Sequence, residues 1–214
     1  MSKVERIKCG NGNAYLVCDG KGKGESAILV DTCREASREI LLQRCLQKKV
    51  RLIVLTHGHI DHVQNAAFLS QLLEVPIAMH KDDLQLITDN WAEPLSARSL
   101  LGKVILKMSM KSFEEERIEP FEPSVFLEDA DTLDEYGVSA AVVGLPGHTK
   151  GSIGLLVNNT DLIVGDALMN ILYPTKSPLY GNRTIMEESA AKISSLGKTT
   201  IYFGHGNPVK NRTW

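Results

Sequence analysis

A spaced series of histidines constrains this 214-residue chain more than any other feature of its sequence. Three of the six histidines lie in His57-Gly58-His59-Ile60-Asp61-His62, and two more follow in Gly147-His148-Thr149 and Gly204-His205-Gly206. Gly165-Asp166 lies between those last two segments. Each segment contains glycine or follows a run of strand-forming residues, so we expect the segments to be loops at strand ends. Loops at strand ends can build one site on a rigid scaffold.

The side chains in these segments include seven candidate metal ligands. They are His57, His59, Asp61, His62, His148, Asp166 and His205. Imidazole and carboxylate groups together suit borderline divalent metals, so we expect two zinc ions per chain, with iron or manganese as alternatives. Side chains two residues apart in an extended loop project to the same side, so His57 and His59 can share one ion. Asp61 and His62 can face a second ion, and Asp166 can give one oxygen to each.

This ligand set predicts hydrolysis. It leaves an open coordination position, which is typical of a catalytic rather than a structural site. A water shared by two metal ions loses a proton near neutral pH and becomes a strong nucleophile. We therefore expect a di-zinc hydrolase in which metal-bound hydroxide attacks a carbonyl, with Asp61 and Asp166 as the catalytic carboxylates. The same groups would suit an ester, thioester, lactone, lactam or phosphodiester, so the ligands specify the substrate poorly.

The composition is that of an ordinary globular protein. Hydrophobic residues make up 43% of the chain and charged residues 23%, which predicts one domain over residues 1–214. The net charge of −2 is spread along the chain, so we expect no nucleic-acid partner. No apolar run is long enough to span a bilayer, so no membrane partner is expected.

The first residues and the cysteines predict a cytoplasmic protein. The segment from Met1 to Arg6 is charged and leads into no apolar stretch, so a secretory signal is not expected. The four cysteines lack C-x-x-C spacing and are interpreted as buried free thiols in a reducing compartment. We expect a small-molecule substrate and either a monomer or a homodimer.

The hydrophobic pattern predicts strands and helices in both halves of the chain. Predicted strands cover residues 4–9, 13–19, 26–32, 51–56, 76–80, 124–128, 139–145, 153–157, 161–164 and 200–203. Predicted helices cover residues 35–49, 62–74 and 184–196, and residues 20–24 are predicted to connect a hairpin. Strands mixed with helices in this way favour an α/β layered sandwich.

Residues 91–123 differ from the rest and are interpreted as an insertion at one edge of the core. Apolar residues recur there at helical spacing: Ala97, Leu100, Leu101, Val104, Ile105 and Met108. Two hypotheses are equally favoured. The segment is either a lid or wall of the substrate pocket, or a structural or dimerising helix.

The motif series resembles that of the metallo-β-lactamase superfamily in order and spacing, from about residue 26 to residue 208. The resemblance implies a four-layer αββα sandwich with the metals at one edge between two sheets. It implies that His57, His59 and His148 hold the first metal, that Asp61, His62 and His205 hold the second, and that Asp166 bridges them. It also implies that Asp31, in Val30-Asp31-Thr32, supports the metal loop rather than binding metal.

Within the superfamily, the sequence is most similar to glyoxalase II-like enzymes without their glutathione-binding helical domain, since only nine residues follow His205. A thioester, ester or lactone is therefore the expected substrate. β-Lactam hydrolysis remains an alternative. A persulfide dioxygenase-like, iron-dependent oxidoreductase is another, although such enzymes bind one iron through two histidines and an aspartate. A non-catalytic metal-binding protein is the third.

Three further features give weaker predictions. His80 is expected at the surface or behind the ligands rather than among them. Lys150 follows the His148 motif and is expected to be an ordinary exposed lysine, with a contact to an anionic substrate as the alternative. The loop over residues 168–182, with Asn170, Tyr173 and Tyr180, is expected to line the pocket because it directly follows Asp166.

Overall fold

The larger of the two main sheets described is built from strands between residues 3 and 126. A computed structural model describes residues 1–20 and 25–214, with Ser112 described by its backbone alone. Residues 21–24 of the predicted hairpin connection lie outside the described residues. The sheet contains β1 (Lys3–Cys9), β2 (Gly12–Cys18), β3 (Ser26–Val30), β4 (Lys49–Val54), β5 (Ile77–Met79) and β6 (Val125–Phe126), in that spatial order. The first three strands are antiparallel, and β3 to β6 are parallel.

The second half of the chain forms a five-stranded sheet and a short two-stranded one. Its strands are β7 (Ala140–Gly144), β8 (Ile153–Val157), β9 (Asp161–Ile163), β10 (Leu168–Met169), β11 (Thr175–Lys176), β12 (Thr200–Tyr202) and β13 (Val209–Lys210). The five-stranded sheet has the order β13-β12-β9-β8-β7, and β10 pairs with β11 alone. Strands β9 and β12 are parallel, so their carboxyl ends lie at the same edge.

Six α-helices accompany the sheets in the part of the chain that the structure describes. They are α1 (Arg38–Cys45), α2 (Ile60–Val63), α3 (Ala66–Leu73), α4 (Leu84–Thr88), α5 (Leu100–Glu115) and α6 (Arg183–Ser195). Short 3₁₀ turns lie at Glu35–Ser37, Lys81–Asp83 and Asp134–Tyr136. Among the described residues, no helix combines the length and the apolar character needed to cross a membrane.

Three apolar clusters separate four layers, which confirms the predicted αββα sandwich. Because side chains alternate along a strand, Ile28 and Val30 of β3 pack between the two sheets, together with Leu155 of β8. Leu29 of the same strand points to the opposite face, into a cluster that includes residues of α1 and α3. On the outer face of the second sheet, Ile193 of α6 packs into a third cluster.

Two predicted helices differ from the structure. The helix predicted over residues 35–49 begins as a 3₁₀ turn and ends at Cys45, because Lys49 already belongs to β4. The helix predicted over residues 62–74 is two helices, α2 and α3. They are divided at Asn65, whose side-chain amide donates to the carbonyls of Thr32 and Arg34. Tertiary hydrogen bonds therefore override the helical pattern at this position.

The segment over residues 91–123 contains α5, which begins at Leu100, three residues after the first apolar residue of the predicted helical pattern. Its Phe113 ring stacks on the His59 ring, with the ring centroids 5.5 Å apart. Ile105 and Met108 line the same cavity as His59 and Asp61. The hypotheses for this segment, a lid or pocket wall and a structural or dimerising helix, both stay predictions.

Candidate metal centre

The seven predicted ligands lie at the ends of four strands. His57 and His59 follow β4, and Asp61 and His62 belong to the short helix α2 that begins there. His148 follows β7, Asp166 follows β9 and His205 follows β12. The loops therefore converge at one edge of the sandwich, where both sheets contribute side chains.

The ligand atoms of these side chains form overlapping groups within 4.8 Å of one another. One group contains His57, His59 and His148, a second contains His57, His62 and Asp166, and a third contains Asp61, His62 and His205. Asp166 lies between the ends of the cluster, with Oδ2 3.8 Å from His148 Nε2 and 3.5 Å from His205 Nε2. Its Oδ1 is 3.5 Å from His62 Nε2. The structure thus brings together all seven predicted residues.

Hydrogen bonds from outside the cluster orient four of the imidazoles. His148 Nδ1 lies 2.9 Å from the Leu179 carbonyl oxygen, and His205 Nδ1 lies 3.0 Å from the Asn11 carbonyl oxygen. A carbonyl only accepts, so Nδ1 of each ring donates this hydrogen bond, and Nε2 is the ring nitrogen left to face the cluster. His57 Nδ1 contacts Thr56 Oγ1 at 3.1 Å. A hydrogen bond at Nδ1 holds the imidazole ring in a fixed orientation, as it does in metal-binding histidines whose Nε2 is the ligand atom.

Asp31 provides the fourth outer contact. Its Oδ2 lies 2.8 Å from His62 Nδ1, and the same carboxylate accepts from the Thr56 backbone N–H at 2.8 Å and the Thr56 hydroxyl at 2.9 Å. Asp31 is itself held in the left-handed region, with φ of 59°. It therefore orients His62 and the start of the loop without facing the cluster centre, as the family resemblance implied.

Several buried polar atoms at the centre make no hydrogen bond within the protein, which tests whether a cation fits there. His57 Nε2, His62 Nε2 and Asp166 Oδ1 are buried and make no hydrogen bond. Buried polar atoms without partners are rare, because leaving one unsatisfied costs about 1–3 kcal/mol. Convergent imidazole and carboxylate lone pairs are the donor set of a divalent transition metal. The residues present therefore fit a metal ion.

Two glycines provide the space that the cluster needs. A Cβ at Gly204 would collide with Asp166 Oδ1 and lie 2.7 Å from His62 Cε1. A Cβ at Gly58 would lie 2.6 Å from the Leu86 Cβ. Gly58 does not have a positive φ, so close packing rather than a tight turn requires glycine between His57 and His59.

Burial keeps the imidazoles at one end of the cluster neutral. It lowers the pKa of His59 to about 3, with a further contribution from the neighbouring His148. Burial also holds the pKa of His57 well below its usual value, and the adjacent His62 and His59 add to this effect. Since only neutral imidazole binds metal, these two side chains are in the ligating form over the physiological pH range.

The other end combines carboxylates with two further imidazoles. Burial opposes the charged form of His62, but the carboxylates of Asp166 and Asp31 outweigh it and raise the pKa of His62 to about 10. Burial also opposes the charged form of His205, but the Asp166 carboxylate outweighs burial and raises the pKa of His205. Despite burial, His205 and His62 hold the pKa of Asp61 and Asp166 below the usual carboxyl range. Both carboxylates are therefore anionic at neutral pH.

Asp83 is a buried residue of the site that the sequence did not predict. Its Oδ2 accepts from the Gly58 N–H at 2.9 Å and from the Thr149 hydroxyl at 2.7 Å, and its Oδ1 accepts from the Gly151 N–H at 2.6 Å. Burial raises the pKa of this carboxyl, while the three donors act in the opposite direction. Asp83 thus joins the loop of His57 and His59 to the loop of His148.

A cavity of about 650 Å³ opens beside the cluster and contains His59, Asp61, His148, Asp166 and His205 in its lining. Asn170 and Ile171 line it, in agreement with the prediction for the loop over residues 168–182, but Tyr173 and Tyr180 are not among the lining residues. The cavity has the size of a small-molecule site.

The remaining sequence candidates lie away from the cluster. Lys150 Nζ pairs with Glu93 Oε1 at 3.3 Å and does not line the cavity beside the cluster. His80 Nδ1 accepts from the Asp82 N–H at 3.2 Å and so caps the 3₁₀ turn that leads to Asp83. All four cysteines are buried and unpaired, as predicted.

A family model described as the metallo-beta-lactamase superfamily matches residues 7–205. The chain belongs to this superfamily. The matched region includes all seven residues of the cluster together with Asp31 and Asp83, so the whole candidate centre lies within the part of the chain that the superfamily shares.

Two curated relatives extend over nearly the whole chain. A protein of Mycobacterium leprae, ML0493, is 30% identical over 203 residues, which cover 91% of this chain and 86% of that protein. Hydroxyacylglutathione hydrolase GloC of Haemophilus influenzae is 27% identical and covers 91% of this chain and 85% of its own length.

Solved structures share the fold at lower identity. The B3 metallo-beta-lactamase BLEG-1 has a TM-score of 0.69 at 22% identity, covering 98% of this chain and 94% of its own. TTHA1623, solved in a di-iron-bound form, has a TM-score of 0.67 at 23% identity, and the match covers 97% of this chain and 94% of TTHA1623. ETHE1 from Myxococcus xanthus has a TM-score of 0.61 at 16% identity, and the match covers 98% of this chain and 79% of ETHE1. At these identities the likeness concerns the fold.

Proposed function

We propose that this chain is a hydrolase that holds two divalent metal ions, zinc first, and cleaves a thioester, ester or lactone bond of a small-molecule substrate. One observation carries the proposal. Four imidazoles, those of His57, His62, His148 and His205, are bound at Nδ1 from outside, so that their Nε2 atoms face the cluster with Asp166 between them. The Nε2 atoms of His57 and His62 make no hydrogen bond within the protein, whereas a solely structural core would satisfy such atoms.

The geometry supports a division of the seven ligands between two ions. His57, His59 and His148 would hold one ion, and Asp61, His62 and His205 would hold the other, since each trio forms a compact group. Asp166 would contribute to both, because its two oxygens face different histidines. Iron and manganese suit the same donors, and the di-iron form of TTHA1623 keeps iron open as an alternative metal.

Bound divalent ions would supply Lewis-acid chemistry, lowering the pKa of water and polarising the carbonyl under attack. The chain's own side chains supply charge and orientation. Asp61 and Asp166 are anionic at neutral pH and balance cationic charge in the buried site. Asp61 is a quarter exposed and lines the cavity, so its Oδ2, 3.4 Å from His205 Nε2, can accept a hydrogen bond from a water molecule and orient it toward the substrate.

Hydrolysis of an acyl-thiol bond is the first reaction to test. GloC is named for the hydrolysis of an acylated glutathione, and its similarity covers most of both chains. BLEG-1 is named as a B3 metallo-beta-lactamase, so a β-lactam belongs in the same substrate panel. The likeness to ETHE1 at 16% identity concerns the fold alone and does not favour persulfide oxidation.

The test combines metal analysis with a substrate panel. Protein loaded with zinc, iron or manganese is expected to hold about two ions per chain and to hydrolyse a thioester, an ester or a lactone. Asp166→Ala should lose or loosen both ions, whereas Lys150→Ala should keep them, because Lys150 contacts Glu93 away from the cluster. Fewer than one ion per chain, or equal metal loss in both variants, would contradict the proposal. Full occupancy with no turnover would identify a non-catalytic metal-binding protein, and iron-specific oxygen consumption with a persulfide would identify an oxidoreductase.

A further inference from the structure

The two walls of the cavity beside the metal cluster differ in chemistry. One wall is formed by α5 and the loop after β10, with Ile105, Met108, Phe113 and Ile171. Another wall is formed by β1 and β2 and carries Arg6, Lys8 and Asn13. Residues of the metal cluster line the same cavity, so a bound substrate meets both apolar and cationic side chains.

Strand β1 points its cations toward the cavity because of its alternation. Ile7 and Cys9 are buried in the apolar core under α1 and α3, so Arg6 and Lys8 face the other side of the strand. In the β1–β2 register Lys8 lies opposite Asn13, which lines the same wall. The two cations therefore share one face with a hydrogen-bonding amide.

Among the described residues, neither cation of this wall forms an ion pair with a carboxylate. Arg6 Nη1 donates to the Gly206 carbonyl at 3.1 Å and to Asn207 Oδ1 at 2.9 Å, and both acceptors are uncharged. The exposed Lys8 amino group forms no ion pair among the residues that the structure describes. By contrast, Arg34 in the same cavity is paired with Glu116. Arg6 and Lys8 are thus the cations available to a ligand.

The position of Arg6 connects this wall to the metal cluster. Its two acceptors, Gly206 and Asn207, directly follow His205 in the chain. The Asn13 side chain also donates to the Gly206 carbonyl, at 2.8 Å, so the turn after His205 is tied to β1 and β2. An anion at Arg6 and Lys8 would therefore lie beside the ligand cluster rather than on a separate surface.

We propose that the substrate carries an anionic group, a carboxylate or a phosphate, that binds to Arg6 and Lys8 while the bond to be cleaved lies at the metal cluster. The inference rests on the proposed hydrolase function and adds the class of substrate. The apolar wall disfavours binding of the anionic group there, because burying a charge against apolar side chains without a partner is costly. Charge-assisted hydrogen bonds to the two cations stabilise it on the β1 side.

Matched thioesters test the inference. Acetyl thioesters of 3-mercaptopropionate and of its neutral amide, with an acetyl thioester of a phosphorylated thiol as a third arm, differ mainly in charge. The wild-type protein is expected to favour an anionic thioester in kcat/KM at low salt, and the preference should shrink as salt rises. Comparing kcat/KM for the carboxylate thioester with kcat/KM for the phosphorylated thioester shows which of the two anionic groups the cations prefer.

Charge reversal on β1 provides the variants. Lys8→Glu should reduce the ratio of kcat/KM between the anionic and the neutral thioester by about tenfold or more, and Lys8→Met by less. Lys3→Glu is the matched control, because Lys3 is exposed on the same strand and is absent from the cavity lining. It should keep the wild-type ratio. Equal ratios in the wild type, Lys8→Glu and Lys3→Glu would overturn the inference.

A binding measurement separates this inference from the proposed reaction. The non-cleavable ethyl thioether of 3-mercaptopropionate should bind the wild-type protein, and Lys8→Glu should weaken its binding by a similar factor with no turnover involved. Lys8-dependent binding without hydrolysis of any thioester, ester or lactone in the panel would support the anion site and reject the hydrolase proposal. Hydrolysis with binding that does not depend on Lys8 would support the hydrolase and reject the anion site.

Discussion

The Asp83 carboxylate accepts a 2.7 Å hydrogen bond from the Thr149 hydroxyl, although the two residues lie in different halves of the chain. The same oxygen accepts from the Gly58 N–H, between two candidate ligands, and Thr149 directly follows a third. One buried carboxylate therefore sets the distance between the loop of His57 and His59 and the loop of His148.

We expect Asp83→Ala to destabilise the fold by about 3–5 kcal/mol, because three buried donors lose their acceptor. Metal affinity should also fall, by about 10- to 100-fold, since the ligand loops are no longer held together. Asp83→Asn keeps one acceptor oxygen and should be intermediate. Urea unfolding and chelator competition measure the two effects. The exposed neighbour Asp82→Ala is the control, and equal effects at both positions would show that Asp83 does not join the loops.

Asp31→Asn should weaken metal binding at the Asp61, His62 and His205 end more than at the other end. The Asp31 carboxylate holds His62 Nδ1 at 2.8 Å, and an amide cannot provide the same charged acceptor. We expect a loss of about 10- to 100-fold in affinity for one of two ions, measured by stepwise chelator competition. The exposed Asp134→Asn should bind as the wild type does. Uniform weakening of both ions would contradict the assignment of His62 to one end.

Gly204→Ala should reduce the number of metal ions per chain, because the added methyl group would displace Asp166 or His62. Gly197→Ala is a matched control. Gly197 has φ of +67° and no atom within 4 Å of the added Cβ, so strain of about 1 kcal/mol is expected without effect on the cluster. Elemental analysis of both purified variants checks the prediction. Unchanged metal content in Gly204→Ala would refute the close packing inferred at this glycine.

Tyr15 should make the fold sensitive to alkali. Its buried hydroxyl donates to the Phe203 carbonyl at 2.6 Å, and burial raises its pKa above the usual value of 10.0. A raised folded-state pKa gives stability that is present below pH 10 and is lost as the pH rises further.

Tyr15→Phe is therefore expected to be less stable than the wild type at pH 8, by about 1 kcal/mol for the lost hydrogen bond. The difference should shrink above pH 10 and then change sign, because phenylalanine does not titrate. Denaturant unfolding at several pH values measures it, with the exposed Tyr173→Phe as control. A difference that stays constant from pH 8 to 11 would contradict the buried-tyrosine explanation.

The sandwich and the seven residues of the cluster could be predicted from the sequence because their signals are local. Each ligand segment is a few residues long, and each strand shows its own apolar pattern. Asp83 shows no such signal. It lies in Lys81-Asp82-Asp83, and its donors on Gly58 and Gly151 are backbone groups that any residue except proline would provide. Asn65 was missed for a similar reason, since the carbonyls that it binds belong to a distant loop. Long-range hydrogen bonds to the backbone leave little trace in sequence.

The convergence of strand ends from two sheets has a kinetic consequence. An ion held by His57 and His59 from one sheet and by His148 from the other would span the edge between the sheets, and this edge exists only after the sheets have docked. Such an ion cannot nucleate folding in the way that a zinc finger's ion does. It would act late, by stabilising the sandwich after the two sheets have docked. Its removal should therefore accelerate unfolding while leaving the refolding rate nearly unchanged.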